Sequence, residues 1–426
     1  MTRSHPQGRQ QPWSAPITRR QFATDAATAF VVIAAMPGRV LAEAQMAPIV
    51  PFKAHISDTV LHDLNRRLDQ AKWPDQLPGT TWENGADNAT MHALADYWRK
   101  GYNWRVQEAQ INRFDQFTTE IDGQSIHFIH ERSRRADAIP LMLLHGWPGS
   151  IVEFLAMINP LTRPTDPALP AFHVVVPSLP GFGFSGPTIS KGWDPQRIST
   201  ALIILMERLG YRQYGLQGGD WGARISQLMA SRAPTKIVGL HSNFLIAPPP
   251  SPQAIAQLNE QERKAFLGFK AGEESGYFRL QETRPQTIAY ALTDSPVGLL
   301  AWFGEKFQAW VDHDGDFLTV VDRDTFLTNL MLHWATGTVG SSMRIYREAL
   351  LASGNAAPIP RFPAPVGQAI FPKELISTPD AWADQQFNIV QRTRMPRGGH
   401  FAALEQPGLL VTDIRALFLK IAPSPG

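Results

Sequence analysis

The chain has 426 residues, 43% of them hydrophobic, with 40 Lys and Arg against 38 Asp and Glu and no cysteine. That length accommodates one large α/β domain with an insertion, and the absence of cysteine excludes disulfides, thiol catalysis and Cys-based zinc sites. Setting aside the first 44 residues leaves 35 basic against 36 acidic residues, a balance that offers no electrostatic footprint for nucleic acid or an anionic membrane.

Residues 1–44 read as an export signal. Thr18, Arg19, Arg20, Gln21 and Phe22 resemble a twin-arginine motif, ahead of an apolar run from Ala26 to Met36 and the triplet Ala42, Glu43, Ala44. The run falls short of the roughly 18 residues that cross a bilayer. Cleavage after Ala44 is therefore expected, giving a periplasmic or secreted protein with no membrane span in the mature chain. Asp25 departs from the pattern, because it puts a charge beside the apolar segment.

Residues 45–112 read as an arm. Val60, Leu61, Leu64 and Leu68 share one helical face behind a cap at Ser57, and Met91, Leu94, Ala95 and Trp98 form a second stripe. Long irregular connections suggest that these helices wrap another domain. Residues 113–247 carry strand-like runs at Phe114 to Ile121, Ser125 to His130, Leu141 to Leu144, Phe172 to Val176, Tyr214 to Gln217 and Val238 to Phe244. The first two form a hairpin turned at Asp122 and Gly123, and the later ones alternate with helical segments such as Pro195 to Leu209. Residues 248–352 open on a proline cluster, Pro248 to Pro252, and are helical throughout, which marks a lid. Residues 353–426 supply the last strands, Val366 to Phe371 and Phe387 to Val390. The whole predicts an α/β-hydrolase fold: a mainly parallel eight-stranded sheet with helices on both faces, a helical lid and an N-terminal arm.

Between the strand at Tyr214 to Gln217 and a helical run from Ala223 stand Gly218, Gly219, Asp220, Trp221 and Gly222. Small residues around one side chain at a strand-to-helix turn are the signature of a nucleophile elbow. The central residue is aspartate, where an acyl-transfer enzyme would carry serine. A carboxylate is ionised at neutral pH and displaces a leaving group at an sp3 carbon without a base, so the expected intermediate is an alkyl ester of Asp220.

The nucleophile, acid, histidine order of such hydrolases is met by Asp220, Glu374 and His400. Glu374 lies just beyond the strand ending at Phe371, and His400 lies in Arg397, Gly398, Gly399, His400, Phe401. His400, oriented by Glu374, would take a proton from the water that attacks the ester carbonyl. The resulting oxyanion needs two N–H donors. Trp221 supplies one, and Trp147, within His145, Gly146, Trp147, Pro148, Gly149 and Ser150, supplies the other.

With these motifs, and with Asp96 to Arg99 and Gln110 to Phe117 in the arm, the chain resembles the microsomal epoxide hydrolase family from Pro51 to Ala416. That family includes the juvenile hormone epoxide hydrolases. The resemblance implies hydrolysis of a small-molecule epoxide to a vicinal diol, with no cofactor and no metal. It also implies two lid tyrosines that protonate the epoxide oxygen, which fall on Tyr277 and Tyr346, and it places the acid on Glu374.

Competing readings remain for several residues. Tyr290 competes with Tyr277, and Asp380 and Asp384 stand close to Glu374. Asp220 could be a turn-capping aspartate and His400 an ordinary loop histidine. Gly181, Gly183 and Gly186 match a dinucleotide fingerprint, but Pro180 and Pro187 flank them, so the segment reads as a pocket-lining loop. Asp312, Asp314 and Asp316 suggest a calcium loop, but Phe317 and Arg323 occupy positions that need Gly and Glu, so a solvated acidic turn is expected. The rival activities are a haloalkane dehalogenase with the same Asp nucleophile, disfavoured by Trp147 where a halide-binding Asn is typical, and a non-catalytic binding protein on the same scaffold.

Overall fold

The computed structural model describes residues 47–271, 275–354 and 359–421; the export motif lies outside them. Among the described residues nine strands form one sheet: β1 (Val50–Phe52), β2 (Gln116–Ile121), β3 (Gln124–Glu131), β4 (Ile139–Leu144), β5 (Phe172–Pro177), β6 (Tyr214–Gly218), β7 (Ile237–Ser242), β8 (Pro365–Ile370) and β9 (Asn388–Arg394). Their order is β1-β2-β3-β5-β4-β6-β7-β8-β9. The first three neighbouring pairs are antiparallel and the other five parallel, with registers such as Leu141↔Val174 and Leu144↔Gly218.

Eight of these strands lie where the sequence predicts them. The ninth, β1, corrects the expected count: the arm adds it to the sheet edge, Val50 opposite Thr118. Three residues are too few to show an alternating pattern. The β2–β3 hairpin turns at Asp122 and Gly123, both with positive φ (53° and 74°), as a tight two-residue turn requires. Leu141 to Leu144 are all fully buried, because a central parallel strand is covered on both faces. Glycines on β6 show how closely. A Cβ on Gly215 would press on Phe418 and one on Gly218 on Gly222. These positions face opposite sides of the sheet, so helix Pro407–Ile421 covers one face and Asp220–Arg232 the other.

In the arm, Ser57 caps helix Asp58–Asp69 by accepting from the Val60 N–H. Helix Asn88–Lys100 buries Met91, Leu94, Ala95 and Trp98, the stripe read from the sequence. A third helix, Trp104–Ile111, went unread because its buried face includes Glu108. That carboxylate accepts from the Ile56 N–H (2.7 Å) and the Trp104 indole (2.9 Å), tying the arm to itself. Tyr97 donates to Asp324 at 2.8 Å and Tyr102 bonds Thr328 at 3.0 Å, which fasten the arm to the insertion between β7 and β8.

The described residues of that insertion contain helices and no strand. Its main helices are Glu260–Ala271, Gly276–Thr283, Pro285–Asp294, Pro296–Trp310, Arg323–Ala335 and Val339–Ser353. Among the described residues no helix is long and apolar enough to cross a membrane.

Candidate active site

Asp220 sits at the apex between β6 and helix Asp220–Arg232 with φ +47°, a left-handed conformation that costs a non-glycine residue about 1–3 kcal/mol. Close packing holds it there. A Cβ on Gly222 would collide with the Leu144 carbonyl, one on Gly218 would come within 2.5 Å of Gly222, and one on Gly146 would overlap the Asp220 carboxylate. Gly146 and Gly222 are demanded by the approach of the end of β4 and its following loop to the elbow, and Gly218 by the tightness of the elbow itself.

That loop, whose Trp147–Pro148 bond is cis, brings the Trp147 N–H onto Asp220 Oδ1 at 2.8 Å. Burial pushes His145 down to about 4, so it is neutral; its Nε2 accepts from the Leu179 N–H, which leaves Nδ1 to donate to the Gly146 carbonyl. The insertion braces the same loop. Asn329 accepts from Ser150 Oγ (2.7 Å) and donates to the Pro148 carbonyl (2.9 Å), while His333 Nε2 meets the Gly149 carbonyl at 3.2 Å. The Trp221 amide lies in the first turn of the elbow helix; of the two expected amides, the one hydrogen-bonded to the carboxylate is that of Trp147.

His400 lies between two carboxylates. Its Nδ1 is 2.6 Å from Glu374 Oε1, and its Nε2 faces Asp220 Oδ2 at 3.5 Å. Burial alone would lower its pKa, but Glu374 and then Asp220 outweigh burial and hold it well above the ordinary imidazole value. Asp380 and Asp384 instead pair with Arg392 and Arg394 at the surface.

The loop carrying His400 is pinned by a residue that sequence reasoning missed. Glu405 accepts from the backbone N–H groups of Asp312 (2.8 Å), Gly399 (2.7 Å) and Phe401 (2.9 Å). The His400 N–H donates to the Trp310 carbonyl at 3.0 Å, so the loop also hangs on the end of helix Pro296–Trp310. Asp312, expected in a solvated turn, accepts from the Gly398 N–H at 2.7 Å and belongs to this clamp. Among the described residues no cluster of His, Asp and Glu could hold a metal ion.

Above the elbow stand the two tyrosines of the insertion. The Tyr277 ring stacks on Trp147, centroids 5.1 Å apart, and Tyr346 meets Trp221 edge-on at 4.9 Å; the two tyrosine rings are 5.9 Å apart. The Tyr346 hydroxyl is buried beside the Trp221 indole and the Tyr277 phenol. Burial first, then Tyr277 and Asp220, push its pKa well above the usual phenol value, so it keeps its proton. Tyr290 is 75% exposed and takes no part.

The Gly181–Gly186 turn holds the helix carrying Tyr346 and does not line the cavity beside Asp220. The Gly183 N–H donates to Thr338 at 3.1 Å, and Ser341 donates to the Gly181 carbonyl at 2.5 Å. That cavity is bounded by Gly146, Trp147, Glu153, Gln217, Asp220 and His400, among others, and offers about 10 Å³ to the centre of a water molecule. Glu153 was also missed: Ser150 and Glu153 have the spacing of a helix capping box, which disguises an inward-facing carboxyl.

Residues 49–154 match the family described as epoxide hydrolase N terminus, and residues 139–279 match the alpha/beta hydrolase fold. A relative from Stigmatella aurantiaca is 43% identical across 88% of this chain and 85% of its own length. Epoxide hydrolase 1 of Sus scrofa is 35% identical across 89% of this chain and 90% of its own. The crystal structure of juvenile hormone epoxide hydrolase from the silkworm Bombyx mori superposes with a TM-score of 0.80 at 31% identity, covering 88% of this chain and 95% of that one. By sequence and by fold, the chain belongs to the epoxide hydrolase family.

Proposed function

We infer that this protein is an epoxide hydrolase that adds water to a hydrophobic epoxide through an ester on Asp220. The Trp147 N–H already engages Oδ1, which leaves Oδ2 to attack a ring carbon and makes Oδ1 the ester carbonyl oxygen. As the ring C–O bond breaks, Tyr277 and Tyr346 donate to the developing alkoxide. A phenol held protonated by burial suits that task.

Ester formation removes the negative charge of Asp220, one of the two that hold the His400 pKa up. The imidazole thus becomes easier to deprotonate at the stage where a base is needed. Neutral His400, kept in orientation by Glu374, takes a proton from water as the water oxygen bonds to the ester carbonyl carbon. The Trp147 and Trp221 amides stabilise the oxyanion. Collapse expels the diol oxygen, which takes the proton back from the imidazolium. The Asp220 carboxyl, still holding the second hydrogen of the water, loses it by way of His400 to replace the proton the phenols gave the alkoxide, and the carboxylate is restored.

The imidazole bridging Glu374 and Asp220 carries this two-step assignment. Its test is mass spectrometry of His400→Gln mixed with styrene oxide. An adduct of substrate mass on the peptide containing Asp220 is expected; its absence where wild type turns over would overturn the mechanism. Halide release from haloalkanes without epoxide turnover would favour the dehalogenase reading.

The helical insertion, residues 248–352, serves as the lid of this chamber. The aromatic cluster that packs over the elbow, Tyr277, Phe278 and Trp310 around Trp147 and Tyr346, supports an apolar substrate. Export by the twin-arginine route is supported by the Thr18 to Phe22 motif. Replacing Arg19 and Arg20 by Lys should retain the protein in the cytoplasm on cell fractionation.

A further inference from the structure

Glu153 takes no part in the steps above, yet its carboxyl reaches the water-sized cavity beside Asp220 and His400. It lies on the short helical turn Ile151–Phe154, directly after the loop that supplies the Trp147 amide. A Cβ on Gly149 would coincide with Glu153 Oε1, so the bare glycine is what lets the carboxyl turn inward. Ser150, which a capping box would pair with Glu153, is instead engaged with the Val152 N–H (3.2 Å) and Asn329 (2.7 Å). On its other side Glu153 lines a second cavity, of about 260 Å³, between the arm and the insertion, with Gln107, Val321 and Thr325 among its walls. Glu153 and Ala403 are common to both cavities.

We propose that Glu153 is the positioning residue for the hydrolytic water, accepting one of its hydrogens while the other faces His400 Nε2. The inference rests on the Asp220 ester described above. A cavity of about 10 Å³ for water centres holds on the order of one water, and such a water needs two to four polar partners. With one hydrogen on His400 and one on Glu153, the water's lone pair is left for the ester carbonyl. Burial pushes the Glu153 carboxyl up to about 8, Asp220 adds to the rise, and His400 opposes it. At neutral pH the group is therefore a carboxylic acid. Its carbonyl oxygen accepts from water without placing a second negative charge beside the developing oxyanion.

The test is step-resolved kinetics of Glu153→Leu and Glu153→Gln with styrene oxide, following ester formation and decay by stopped-flow tryptophan fluorescence and by the Asp220-peptide adduct. Glu153→Leu is expected to form the ester at the wild-type rate and hydrolyse it roughly 10²-fold more slowly, the scale of loss when a reactant is misplaced by about 1 Å. Glu153→Gln, with an amide carbonyl in the same place, is expected to restore most of the hydrolysis rate. Wild-type ester decay in Glu153→Leu, an equal fall of both steps, or a glutamine variant as slow as the leucine one would overturn the proposal. Failure of the Asp220 reading itself is separately visible, as the absence of an adduct in His400→Gln.

Discussion

Glu374 and His400 meet through a 2.6 Å contact between two almost fully buried side chains, and Glu374 Oε1 also accepts from the Leu375 N–H at 2.7 Å. The second oxygen, Oε2, is buried with no partner, so the carboxylate's charge is directed at the imidazole. Glu374→Gln keeps the shape and removes that charge. Ester hydrolysis in single turnovers should fall by roughly 10²-fold, within the range for a general base. Hydrolysis needs neutral His400, so its rate rises with pH through the imidazole pKa. Loss of Glu374 lowers that pKa, and the acid limb of the profile should move to lower pH. An unmoved limb would mean that Glu374 does not set His400's basicity.

Tyr346→Phe removes a buried hydroxyl whose neighbours are the Trp221 indole and the Tyr277 phenol. Such contacts contribute about 1 kcal/mol, so the urea midpoint should fall only slightly. Ester formation should nevertheless slow by roughly 10-fold to 10²-fold, with a larger loss when Tyr277→Phe is added. Stopped-flow alkylation rates would contradict the assignment if the double variant matched wild type.

Glu405→Ala takes the acceptor from three backbone N–H groups at once. A cost of about 3 kcal/mol is expected in equilibrium urea unfolding, together with slower ester hydrolysis as the His400 loop loosens. Full hydrolysis in a destabilised protein would separate the clamp from the chemistry.

The pH dependence of stability should carry the mark of Glu153. Its folded pKa is raised to about 8 from an ordinary 4.5, so the folded state binds this proton more tightly than the unfolded chain. Such a group leaves stability untouched below the unfolded value and erodes it as pH rises towards the folded one. Glu153→Gln should therefore gain little at pH 5 and progressively more towards pH 8, read as the difference in urea midpoints. A gain independent of pH would show that the carboxyl ionises normally.

What the sequence revealed and what it hid follow from the range of the interactions. Asp220, Glu374 and His400 were legible because each sits in a local pattern of glycines and a strand end that the backbone geometry itself demands. Tyr277 and Tyr346 came only through resemblance, since a lid tyrosine looks like any aromatic on a helix. Glu153, Glu405 and Asn329 carry no local signature. Their roles arise from burial and from partners up to 181 positions away, such as the Pro148 carbonyl that Asn329 bonds. The edge strand at Val50 to Phe52 and the helix at Trp104 were hidden for the opposite reason, being too short or too polar to show a period. Asp312 was misread because its partner, the Gly398 amide, belongs to a distant loop.

The bracing of the Pro148–Gly149 loop by Asn329 and His333, and of the His400 loop by Trp310, means that roof and floor of the chamber cannot be exchanged independently. A chimera joining this core to the cap of a distant relative would lose the struts that aim both the amide donor and the imidazole. Productive hybrids would have to transplant the strut residues with the roof, and swinging the whole roof open to admit a molecule would dismantle the machinery it shelters.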